Sequence, residues 1–165
     1  LIKAIAHLTS ETFDEKIFEG LFNLPHFNLD LDNENVFELV KDFRRQLRET
    51  DGVLICTLEY AIGVPGTLKN AIDWTVSKMG FSKKTCGTYY CFIIGEKAHQ
   101  SLLGTLLIIE AKMTIGTQLL ISFVKTKVND DCKITDKDTL NSVSKLIKSL
   151  KEIIYIFNYA NSATT

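Results

Sequence analysis

The chain has 165 residues, 45% hydrophobic and 24% charged, with 19 basic and 20 acidic side chains giving a formal net charge of −1. That balance supports one packed domain over residues 1–165 and argues against a disordered chain or a nucleic-acid binder, which would carry a basic stripe. The most apolar window, SLLGTLLII at 101–109, is about half the ~18 residues that a membrane span needs, so no membrane partner is expected.

Leu1, Ile2, Ile5 and Leu8 share one helical face, so LIKAIAHL reads as a helix already under way. TFDEKIF, 12–18, has strand character, and the loop 20–34 carries Asn, Asp, aromatics and Pro25. In 35–49, Val36, Leu39, Val40, Phe43 and Leu47 recur at three- and four-residue intervals, an amphipathic helix closed by Asp51-Gly52. GVLICTL, 52–58, is apolar on both faces, as a strand covered on both sides must be. Pro65 and Gly66 then suit the entry and first turn of a helix over 66–78.

TYYCFIIG, 88–95, predicts the next strand, followed by a helix over about 98–112 and a strand over 117–124. Leu140, Val143, Leu146, Ile147, Leu150, Ile153 and Ile154 stripe a long final helix, and 158–165 reads as a fraying tail.

Strands alternating with helices of this length imply βαβ units with right-handed crossovers. The expected fold class is α/β: a three-layer, flavodoxin-like parallel sheet with helices on both faces. Ligands bind such sheets beyond the carboxyl ends of the strands, where TLEYAIGVPG, GEKAHQ and KTKVNDD fall. A chain opening in a helix lacks the strand that should feed it, which in this order pairs between 12–18 and 53–58. Unpaired buried backbone groups there would cost on the order of 1–3 kcal/mol each. The expectation is that the first strand is missing and the natural polypeptide is longer at its N-terminus.

Cys56, Cys86, Cys91 and Cys132 form no CxxC pair, and His7, His26 and His99 are scattered, so neither a disulfide framework nor a metal site is expected. Cys56 and Cys91 sit in apolar runs and read as small buried hydrophobes. Lacking a secretion signal, the chain reads as cytoplasmic.

The stretch TLEYAIGVPGTLKNAIDW resembles the signature of the NADPH-dependent FMN reductase family. There a strand leads into a Thr-Pro-Glu-Tyr-Asn type loop and then Pro-Gly-x-Leu-Lys-Asn-Ala-Ile-Asp-Trp. Thr57, Glu59, Tyr60, Gly63, Pro65, Gly66, Leu68, Lys69, Asn70, Ala71, Ile72, Asp73 and Trp74 match. The resemblance implies a flavoprotein oxidoreductase that takes hydride from NADPH or NADH through FMN to a flavin, quinone or azo acceptor. It also implies that the loop formed by Thr57, Leu58, Glu59, Tyr60, Ala61, Ile62 and Gly63 lies along the isoalloxazine, largely through backbone groups. Gly95 and Glu96 would meet the pyrimidine side, and a Gly-Ser-rich loop after the first strand would bind the phosphate.

Hydride transfer to a flavin needs no side-chain acid or base, so no catalytic residue is assigned. Lys69, Asn70, Asp73 and Trp74 lie within a helix and read as structural. Lys83-Lys84, Lys125 and Lys127 read as surface lysines rather than nicotinamide-phosphate contacts. The sequence departs from the family where Leu58 replaces the usual Pro, Ala61 replaces the usual Asn, GEKAHQ keeps a single glycine, and the phosphate loop is absent. Those departures leave open an interaction or regulatory domain that has lost flavin. Leu102, Leu103, Leu106, Leu107, Ile108 and Ile109 cover more than one helix face, so a homodimer, or a dimer of dimers, through helix 101–111 is expected.

Overall fold

A computed structural model of the chain describes residues 1–76 and 96–162. The expected strand 88–95, Gly95, Cys86, Cys91 and the Lys83-Lys84 pair lie outside these residues.

Five α-helices form among the described residues: α1 Ile2–Thr9, α2 Glu38–Glu49, α3 Gly66–Val76, α4 Glu96–Ile108 and α5 Lys137–Ser162. Helix α1 ends where the Thr9 hydroxyl folds back onto the carbonyls of Ile5 and Ala6, at 3.1 and 2.9 Å. The apolar stripe of α2 buries Val40 and Phe43 as its spacing predicts. Helix α3 starts at the Pro-Gly step, with the Pro65 carbonyl accepting from the amides of Leu68 and Lys69.

Helix α4 stops earlier than its composition predicts. No glycine or proline follows Ile108, yet Glu110 adopts φ 60. The Ala111 amide then reaches the Leu106 carbonyl while the Glu110 amide reaches that of Leu107, both at 3.0 Å. This is the Schellman closure, with a glutamate in the left-handed position that glycine usually takes. Leu106 and Ala111 pack in the same apolar cluster, supplying the contact that accompanies the motif.

Helix α5 begins at an acidic cap. Asp136 Oδ2 accepts from both the amide and the hydroxyl of Thr139, at 2.9 and 2.6 Å. The expected fraying tail is wrong in part, since the helix runs on through Ser162. Nothing in 158–162, NYANS, breaks a helix: it contains neither glycine nor proline.

No strand ladder forms among the described residues, and only the isolated bridges Tyr60–Gly63 and Val128–Ile134 are present. The segments expected as strands at 12–18, 52–58 and 117–124 therefore lack their pairing. The expected strand 88–95, a neighbour of 53–58 in the flavodoxin-like order, lies outside the described residues.

Side-chain placement nevertheless follows the strand period. Val53 and Ile55 pack against the cluster of Ile72, Ala98, Leu102 and Leu106, which joins α3 and α4. Leu54 and Cys56 pack on the opposite side, against Ile5 of α1 and Val143 and Ile147 of α5, with Ile121. Helices thus cover both sides of 53–56, as the two-faced apolar pattern requires. A third cluster joins α2 to α3 through Val40, Phe43, Ala71 and Trp74 and holds Leu24 of the long loop.

Candidate flavin-facing site

The loop Thr57–Gly63 leaves the segment 53–56 and turns sharply before α3. Tyr60 and Gly63 exchange two backbone hydrogen bonds, Tyr60 N–H to Gly63 at 2.8 Å and Gly63 N–H to Tyr60 at 2.9 Å. Between them Ala61 has φ 49 and Ile62 φ 64. Two central residues with positive φ, closed by reciprocal bonds, make a type I′ hairpin turn, which Asn-Gly normally fills. Left-handed backbone costs about 1–2 kcal/mol per residue for ordinary side chains, and β-branched Ile62 is an outlier there. The family's Asn would stand where Ala61 does, so its replacement removes an amide and also adds backbone strain.

The turn presents a small apolar shelf. Leu58, Tyr60 and Ile62 are 62%, 71% and 63% exposed, unusual for large apolar side chains crowded into five residues. Glu59 points elsewhere: its Oε2 accepts from the Ala98 amide at 3.1 Å, in the first turn of α4. Ala98 is fully buried. The shelf is therefore moored to the helix that begins at Glu96, which is itself exposed. A Cβ built on Gly66 would meet nothing within 4 Å, so the first turn of α3 is also open. Thr57 contributes a weak bond from its hydroxyl to the Leu58 carbonyl at 3.4 Å.

Seven of the nine expected flavin-facing residues, Thr57 to Gly63, thus form one continuous loop, and an eighth, Glu96, opens the helix to which Glu59 is bound. Gly95 lies outside the described residues. A shallow groove of about 490 Å3 lies elsewhere, between Ile115–Gln118 and α5, and includes none of the shelf residues.

The helix after the shelf has structural work, as its residues suggested. The Asn70 amide donates to the Pro25 carbonyl at 3.0 Å, and its Oδ1 accepts from the Phe27 amide at 2.7 Å. The Trp74 indole N–H donates to the same Pro25 carbonyl at 2.7 Å, and Phe27 stands edge-on to the Trp74 ring at 5.0 Å. Lys69 pairs with Asp73 one turn on. The motif PGTLKNAIDW therefore clamps the loop 24–27 onto α3.

Two reactive side chains are quiet. Burial pushes the Cys56 thiol up to about 11, so it is a packed hydrophobe and not a nucleophile. His99 is half-buried beside the mooring point, and burial lowers its imidazole below the ordinary value, partly offset by a hydrogen bond with Gln118. His7 and His26 are exposed. No cluster of three or more His, Cys, Asp or Glu that could hold a metal occurs among the described residues, and no helix there is long and apolar enough to cross a membrane.

Helices on both sides of the 53–56 segment, with an exposed loop at its end, match the flavodoxin-like class that a solved neighbour shows. The flavoenzyme NAD(P)H:(acceptor) oxidoreductase FerB of Paracoccus denitrificans has this fold. It superposes with a TM-score of 0.70 at 23% identity, over 94% of this chain and 88% of FerB. The family model for NADPH-dependent FMN reductase matches residues 1–126, and the chain belongs to that family.

Among curated relatives, a 2-hydroxy-1,4-benzoquinone reductase of a Burkholderia species is 37% identical over 82 residues, 50% of this chain and 44% of the relative. A quinone reductase of Pseudomonas putida is 42% identical over 71 residues, 43% of this chain and 38% of the relative. The matched part thus spans less than half the length of either relative.

Proposed function

We propose that this chain is the flavin-binding unit of an FMN-dependent oxidoreductase that uses NAD(P)H to reduce a flavin, quinone or azo acceptor. The shelf at 57–63 carries the reading: an exposed apolar rim beside the first turn of α4, in a chain of this family. The residues present fit the ring-facing part of such a site. Leu58, Tyr60 and Ile62 would supply the wall, the backbone of 57–63 the rim contacts, and Gly95 and Glu96 the pyrimidine side.

The chemistry FMN supplies when bound is hydride acceptance from NAD(P)H and electron delivery to the acceptor. The protein's share is binding, orientation and exclusion of water, so no side chain is assigned a proton-transfer role. The named activities of the quinone reductase relatives favour small, flat acceptors that could stack on the same wall. The alternation of side chains along 53–56 supports a parallel sheet with helices on both faces as the complete fold.

A second copy of the chain is the proposed partner. Helix α4 buries Ala98, Leu102 and Leu106 against its own core yet leaves Leu107 and Ile108 65% and 83% exposed. Sedimentation of the wild type as a dimer, and of Leu107→Lys as a monomer, is the expected result.

Titration of the purified protein with FMN, followed by flavin fluorescence and the yellow absorbance band, tests the function. Saturable uptake at micromolar FMN, and bleaching of the bound flavin by NADPH or NADH under anaerobic conditions, is expected. A colourless protein that takes up no FMN would leave the rival reading, an interaction domain without flavin, in possession.

A further inference from the structure

We propose that Glu59 is a positioning residue: its carboxylate locks the strained shelf turn to α4, so that the two walls of the flavin-facing site form one rigid unit. This rests on the shelf being the flavin wall. The observation itself is independent of any ligand.

Among the described residues the shelf has few other anchors. Leu58, Tyr60 and Ile62 are exposed, and the other hydrogen bonds described for 57–63 run within the loop: Tyr60 with Gly63, and the Thr57 hydroxyl to Leu58. Glu59 alone among these residues is described as reaching another helix, at the amide of Ala98 39 positions away. That amide is one of the first-turn N–H groups that a helix cannot satisfy internally, and an anion is favoured there by the helix dipole. Ala98 is also fully buried and belongs to the cluster of Ile72, Leu102 and Leu106. The carboxylate therefore grips a fixed point of the core.

On the other side of the bond stands a turn that ordinary side chains disfavour. Ala61 and Ile62 hold φ 49 and 64, and strain of this kind persists only where the surroundings over-determine it. Two backbone bonds close the turn, but neither orients it relative to α4. Glu59, one residue before the turn, does. Without it the turn is held to the α3–α4 cluster only at its far end, through Val64, and the rim contacts to a flat ring lose their register.

The test compares Glu59→Ala with Glu59→Gln, which keeps an acceptor oxygen. Amide hydrogen exchange on the FMN-free protein reads the lock directly. Glu59→Ala should speed exchange at Ala98 and, through the turn, at Tyr60 and Gly63, while Glu59→Gln stays close to wild type. In FMN titrations Glu59→Ala should bind about ten- to a hundredfold more weakly, the loss of one charge-assisted bond, with Gln restoring part of it through its acceptor oxygen.

A role confined to capping α4 would raise exchange at Ala98 and leave Tyr60 and Gly63 protected, and that result overturns the proposal. A Gln variant as loose as Ala at all three amides supports the lock and assigns it to the anion at the helix N-terminus rather than to the acceptor oxygen alone. If wild-type protein takes up no FMN, the functional reading fails, while the exchange pattern still decides whether the lock exists.

Discussion

Arg44 Nη2 lies 2.9 Å from both carboxylate oxygens of Asp32, in a pair with side chains only 6% and 0% exposed. Arg44 Nε donates to the Trp74 carbonyl at 2.6 Å, and the guanidinium stands 5.6 Å from the Trp74 ring centre. One buried cation thus ties the long loop, α2 and the end of α3 together. Taking two charges out of water gains little net stability, but removing one partner strands the other.

Asp32→Ala is expected to destabilise the protein by about 3–5 kcal/mol. The double variant Asp32→Leu with Arg44→Met should recover a good part of that loss, because it strands no charge. Urea unfolding of both variants checks the order. A single variant as stable as wild type would mean that water reaches the pair.

Asn70 uses both ends of its amide on the loop, donating to Pro25 and accepting from Phe27. Asn70→Asp keeps an acceptor for Phe27 but turns the donor into a carboxylate oxygen facing the Pro25 carbonyl. A loss of about 1–3 kcal/mol is expected, the cost of a part-buried polar group left without its partner. Trp74→Phe removes the second donor to the same carbonyl. The two substitutions should therefore combine less than additively, since both act on Pro25. A double-mutant cycle in denaturant measures that coupling.

The helices were legible because their apolar residues repeat at helical spacing and Pro65-Gly66 marks an entry. The strand-like run 53–56 was legible as a two-faced apolar segment, and its side chains do divide between two clusters. Its expected ladder does not form among the described residues.

Family resemblance located the shelf, but the job of each side chain in it depends on distant partners. The resemblance sets Glu59 along the flavin with the rest of its loop, and no local pattern points to the bond its carboxylate makes with Ala98, 39 positions on. Arg44 lies in an amphipathic helix, but Asp32 lies in an irregular loop with no period to betray their contact. The early end of α4 was hidden for a local reason: Glu110 takes a conformation for which glycine is the usual signal.

Acid should weaken the fold in two separate windows. Burial lowers the His99 imidazole, so the folded state resists protonation while the unfolded chain, titrating near 6.5, does not. The stability tied to His99 is therefore whole above about pH 6.5 and declines as pH falls through and below that value. Asp136 is held below the usual carboxylate range by its hydrogen bonds from Thr139. Its contribution is present above the unfolded value and disappears only as pH falls through the lower, folded one. Urea midpoints against pH should show a first decline that flattens in His99→Gln and a second, more acidic decline that shrinks in Asp136→Ala. A His99→Gln profile superimposable on wild type between pH 5 and 7 would remove the first assignment.

The turn at Ala61-Ile62 offers a gain in stability and a test of what strain is for. Asn at the first left-handed position and Gly at the second are the residues this turn geometry favours. Ile62 is 63% exposed, so its loss gives up little burial. Ala61→Asn with Ile62→Gly is expected to stabilise the chain by about 1–2 kcal/mol, less the entropy that glycine returns to the unfolded state. The same exchange removes an apolar group from the proposed flavin wall, so FMN affinity should fall while the unfolding midpoint rises. Ala61→Asn alone relieves strain and keeps the wall, and should raise both. If the double variant is less stable than wild type, the reciprocal Tyr60–Gly63 bonds do not describe the turn in solution.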